Sequence, residues 1–131
     1  VNRLLTVGLL VLGFLGGVAW MASCHEAHAQ SEAVAYSLDH AADANGVSRR
    51  FLRCVAAGES GFFPGALGDY GRAHGLMQFH MGTWNANAPR YGFAGYSPYH
   101  AWASAHVAAG MIGDGMRSHW SAARRCGSEW W

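Results

Sequence analysis

Nine of the 18 glycines fall between Gly58 and Gly95, together with Pro64 and Pro89. That density of residues with free or fixed φ leaves no room for a long regular element, so the middle of the chain must be loops and tight turns. A short β-hairpin fits there, with a helical turn or two after Thr83. The flanks carry helical periodicity. Val34, Leu38 and Ala41 recur on one face of a first helix, capped by Ser31 and closed at Asn45-Gly46. Ser48 caps a second, on which Phe51, Leu52, Val55, Ala56 and Glu59 share one face, with Gly61 just past its end. Ser97-Pro98 starts a third, with Pro at the first helical position and Trp102, Ala105, Ala109 and Ile112 at spacings of three and four. Gly113 and Gly115 end it. These pieces make one mainly α domain.

A chain of 131 residues holds no more than one such domain. Its net charge of +1 gives no electrostatic reason to expect nucleic acid as a partner. All nine basic residues are Arg, which excludes a standard Walker phosphate loop, a Lys Schiff base and a Ser-Lys dyad. No cofactor is implied.

The apolar residues are unevenly spread. Leu4 to Ala22 carries no charge, follows Arg3, and leads to the small-residue site Ala27-His28-Ala29. Residues 1–29 therefore read as a signal peptide, with residues 30–131 as the working domain beginning at Gln30. Two other readings stay open: an uncleaved membrane anchor weakened by its glycines, and a lipoprotein acylated at Cys24 within Met21-Ala22-Ser23-Cys24. All three put the domain outside the cytoplasm, in a periplasm, a cell wall or the medium. Cysteine parity points the same way. Setting Cys24 aside leaves Cys54 and Cys126, and two thiols in an oxidising compartment suggest one disulfide. The alternative is two unpaired buried thiols.

Glu59 carries the most chemical information. It is the one carboxylate on the second helix, it lies on the apolar face, and it sits in the last turn. Burial and the negative end of the helix dipole both disfavour its charged form, as suits a general acid near neutral pH. The bland alternative is a solvated side chain at a frayed helix end.

The residues around it extend that reading. Glu59-Ser60-Gly61-Phe62-Phe63-Pro64-Gly65-Ala66 and, further on, Gly75-Leu76-Met77-Gln78-Phe79 resemble the paired motifs of the transglycosylase SLT family, within the lysozyme-like superfamily. The stretch from Ser97 through Gly115 and His119-Trp120 to Cys126 looks like the closing helix and terminal Cys of small secreted members. The family usually follows Gln with an apolar residue, Met and Pro, whereas this chain has Phe79-His80-Met81-Gly82. The resemblance implies a lysozyme-like fold and a monomer acting on peptidoglycan glycan strands of a bacterium, encoded by it or its phage. Glu59 would protonate the oxygen between N-acetylmuramic acid and N-acetylglucosamine, then act as base while the muramoyl C6 hydroxyl attacks C1, giving a 1,6-anhydro product. Ser60 would orient Glu59, and Gln78 would face the cleft or shape its loop.

A hydrolytic muramidase on the same scaffold is the first alternative and needs a second carboxylate. Asp69, in Gly68-Asp69-Tyr70-Gly71, is the nearby candidate, against a plain turn role. A non-catalytic wall-binding module is the second. Tyr91, Tyr96, Tyr99 and Trp102 suit stacking on sugars, although aromatics in so small a domain are more often core, and Trp84 shares that ambiguity. Other signals carry nothing. His25-Glu26-Ala27-His28 is one residue short of a metalloprotease motif, and His40, His74, His80, His100, His106 and His119 show no i, i+4 pairing, so no metal is expected. Arg49, Arg50 and Arg53 read as a solvated helix face, and Trp130-Trp131 as packing, glycan or membrane contacts.

Overall fold

The structure is a computed structural model that describes the backbone of residues 2–127 and side chains from Ser23 to Gly127. The apolar run and Trp130-Trp131 thus lie outside the described side chains. No helix among the described residues is long and apolar enough to cross a membrane. The chain forms two compact units, Val1–Glu32 and Ala33–Trp131. In the first, the helix α1 (Asn2–Ala44) begins, and His28 pairs with Glu32 one turn on at 3.1 Å. Ser31 lies inside α1 and does not cap it, because no helix-breaking residue separates it from the segment before.

The second unit is mainly α with a small antiparallel sheet. It comprises the end of α1, then α2 (Arg49–Ser60), the strands β1 (Leu67–Gly68), β2 (Ala73–His74) and β3 (Phe79–His80), α3 (Met81–Asn87) and α4 (Ala101–Gly113). The strands pair in the order β1-β2-β3, with Leu67 opposite His74 and Ala73 opposite His80. Among the described residues, four 3-10 turns complete it, the last of these being Ser121–Arg124.

The α1 and α2 faces are buried as their periodicity requires: Val34, Leu38 and Ala41 on one, Phe51, Leu52, Val55 and Ala56 on the other. At the start of α2 the Ser48 hydroxyl accepts the Phe51 amide at 3.3 Å, and Gly61 closes it at φ 60°. Arg49 and Arg53 of the exposed face pair with carboxylates of α1. Arg53 Nε donates to Asp39 Oδ1 at 2.6 Å and Arg49 Nε to Asp43 Oδ1 at 2.7 Å, fastening α2 to α1.

The helix α4 differs from its expected form twice. It starts at Ala101, because Ser97-Pro98 makes a turn in which His100 N–H bonds Ser97 O and the His100 ring then accepts the Ala103 amide. It is also buried on every side from Ala103 to Ile112, so it runs through the core rather than along it. Ser104 is tolerated there because its hydroxyl accepts the Met77 amide at 3.3 Å. Gly110 leaves room for the Tyr91 ring, which a Cβ would meet at 2.5 Å. The Tyr91 hydroxyl donates to Asp114 at 2.6 Å, and burial followed by that bond pushes its pKa up to about 12.

His40 and His106 meet across α1 and α4 at 3.0 Å. The His106 Nδ1–H donates to Trp102 O at 2.9 Å, so its neutral Nε2 accepts from His40. Burial holds the His106 imidazole below its ordinary pKa. Among the described residues, no three His, Cys, Asp or Glu side chains converge as a metal site requires.

Candidate active site

The fold brings the end of α2 against the last 3-10 turn. Gly58 permits the approach, since a Cβ there would stand 2.8 Å from the Ala122 Cβ. The Cys54–Cys126 disulfide locks the same two segments, with Cα atoms 5.9 Å apart. Closing a loop of this length contributes about 4 kcal/mol on the chain-entropy view. Its local effect is to hold the Ala122 amide over the next residue of α2: Ala122 N–H donates to Glu59 Oε1 at 3.2 Å. The half-buried carboxylate is thus fixed from outside its own helix. The orienting bond expected from Ser60 is absent from this geometry, because the Ser60 hydroxyl donates to Ala56 O at 3.2 Å within α2.

Glu59 lines a cleft of about 400 Å³, together with Asp69, Gln78, His80, Thr83, His119, Trp120 and Ser121. Ala73 and Phe79 complete its wall. The second motif reaches the cleft through a tight turn. Gly75 adopts φ 79°, and a Cβ on it would lie 2.0 Å from the Pro98 carbonyl oxygen. Leu76 and Met77 point into the core, where the Met77 carbonyl accepts the Trp120 Nε1–H at 2.8 Å. Gln78, itself at φ 52°, turns back. Its amide donates to Gly75 O at 2.9 Å and Ala66 O at 3.2 Å, joining both motifs. Its Oε1 occupies the space that a Cβ on Gly68 would need. Gln78 therefore both shapes the loop and faces the cleft.

A family model for the transglycosylase SLT domain matches residues 37–123, a span that holds Glu59, Gln78 and the turn that anchors them. The chain belongs to the transglycosylase SLT family. No curated protein and no solved structure matches it significantly. Membership associates this domain with peptidoglycan and with a place of action outside the cytoplasm. The mainly helical unit with its small sheet and disulfide is a lysozyme-like fold.

Within this SLT domain the four aromatics expected at the substrate lie outside the cleft wall. Tyr91 packs on Gly110, and the Tyr99 hydroxyl meets His74 Nδ1 at 2.7 Å. Tyr96 lends its carbonyl to the buried Trp84 Nε1–H at 3.0 Å. Trp102 stacks on Tyr36, with ring centroids 5.9 Å apart, and packs at a tilt on His106, 4.1 Å away. Trp120 and His119 take the cleft positions instead. Nothing in their spacing marks them, because the C-terminal turn is brought to the cleft by contacts through space: the disulfide, the Ala122–Glu59 bond and the Trp120–Met77 bond.

Asp69 does line the cleft, and it is more than a turn residue. It and Tyr70 adopt φ 47° and 54°, left-handed values that cost a non-glycine residue about 1 kcal/mol or more each. Both carboxylate oxygens are engaged: Oδ1 by Arg72 at 2.8 Å, Oδ2 by His80 Nε2 at 3.2 Å. The departure from the family pattern after Gln78 is what supplies this His: Phe79-His80 forms β3 and leads directly into α3.

Proposed function

We propose that this domain is a lytic transglycosylase that cleaves peptidoglycan between N-acetylmuramic acid and N-acetylglucosamine. Glu59 gives its proton to the bridging oxygen as the bond to C1 breaks. The carboxylate left behind takes the proton of the muramoyl C6 hydroxyl, which closes onto C1 as a 1,6-anhydro ring. The nucleophile belongs to the substrate, so one carboxyl group completes the cycle without a cofactor. Gln78 holds the glycan against it. The domain works as an exported monomer, with residues 1–29 as its signal or anchor.

The observation that carries this reading is the convergence of Glu59 and Gln78 on one cleft, with the carboxylate held at 3.2 Å by the Ala122 amide. Such external fixing limits the arc over which the acid proton is delivered. The expected outcome is that the purified protein clears a suspension of peptidoglycan sacculi and releases soluble muropeptides. Binding to sacculi without any soluble product would identify a wall-binding module instead.

A further inference from the structure

Asp69 and His80 form a pair within the cleft that the mechanism above leaves unused. Charge proximity biases the state of the imidazole. His80 Nε2 lies 3.2 Å from Asp69 Oδ2, so the carboxylate favours the tautomer with the proton on Nε2, which leaves a lone pair on Nδ1 in the neutral ring. That Nδ1 is not spent locally: His80 stands at the N-cap of α3 yet makes no side-chain cap bond. Across the sheet its register partner is Ala73, a small residue that also lines the cleft. The side chain is 56% exposed, open to solvent and substrate alike. The strained Asp69-Tyr70 turn has its anchor in the Arg72 and His80 contacts, so left-handed backbone is maintained where the pair is made.

We propose that His80, held by Asp69, is a general base for water, and that the cleft also hydrolyses glycan. This rests on Glu59 acting as the acid, as above. Glu59 donates its proton to the bridging oxygen, and the C1–O bond breaks to release the leaving sugar as an alcohol. A water oxygen bonds to C1 while its proton passes to His80 Nδ1, forming an imidazolium whose charge Asp69 balances. That proton then returns through solvent to the Glu59 carboxylate, restoring both groups. Asp69 serves as a positioning residue, since each of its oxygens already has a partner. Intramolecular attack and water attack thus share one acid and differ in the base.

Digestion of sacculi in ¹⁸O-water, sampled early and read by mass spectrometry, separates the two routes. Wild type should yield anhydro ends together with ¹⁸O-labelled reducing ends. His80→Phe and Asp69→Asn should lower the labelled share at least about tenfold while anhydro ends persist, which also reports that the variants fold. His80→Gln keeps a hydrogen-bonding side chain but cannot take a proton, and it should lose the label as His80→Phe does. Undiminished label in His80→Gln overturns the proposal, as does a wild-type digest with anhydro ends alone. The latter leaves the role of Glu59 standing; a digest with no new ends removes both.

Discussion

Glu59→Gln is expected to slow the release of soluble muropeptides by about 10²–10⁴-fold, the usual worth of a positioned general acid. That corresponds to about 3–5 kcal/mol of transition-state stabilisation. The substitution is close to isosteric, and an amide oxygen still accepts the Ala122 N–H that the carboxylate accepts at 3.2 Å. What disappears is the proton to give. Thermal unfolding should therefore match wild type to within a few degrees, and binding to sacculi should survive. A variant that clears sacculi at the wild-type rate would remove Glu59 from the chemistry. Circular dichroism melts accompany the assay, so that a loss of folding is told apart from a loss of catalysis.

The second large effect falls on stability. Gly75→Ala should cost about 3 kcal/mol or more, a large part of what holds a domain of this size together. Two penalties coincide there: φ of 79° is left-handed, and the added methyl would stand 2.0 Å from the Pro98 carbonyl oxygen. The obstructing atom is backbone and cannot rotate away. Gly71→Ala provides the comparison, because φ there is 84° and nothing lies within 4 Å of the new methyl. It should cost only the backbone term, about 1 kcal/mol. Urea unfolding measures both, with the midpoint moving and the slope unchanged. Equal shifts for the two variants would show that the packing of the Ser97-Pro98 turn onto Gly75 is not important. Since Gln78 follows within the same turn, Gly75→Ala should also lose activity at temperatures where it remains folded.

Much of the fold is legible in the amino-acid sequence, for a physical reason. Helix caps and buried faces are local: Ser48, Gly61 and the Phe51-to-Ala56 face depend on residues within a few positions, and all three are found where the pattern puts them. Cysteine parity leads to Cys54–Cys126, and the two motifs lead to the cleft that Glu59 and Gln78 line. The remainder depends on contacts through space. Ser97-Pro98 looks like a helix start, yet its backbone is taken up by the approach to Gly75, and α4 begins at Ala101. Tyr91 looks like a sugar platform, but Gly110 on a distant helix makes a slot for its ring. The bond expected of Ser60 comes from Ala122, across the disulfide-linked segments. In the sequence His80 is visible only as a departure from the family pattern, and its significance appears once Asp69 is seen in its left-handed turn beside it.

Attack by the substrate's own C6 hydroxyl, driven by Glu59, is read from the mass of the glycan ends released from sacculi. A 1,6-anhydro end is one water lighter than a hydrolytic one. Wild-type protein is expected to release lighter ends, and Glu59→Gln to release almost none at equal protein and time. A wild-type digest whose ends all carry the added water, with none of the lighter species, would contradict it.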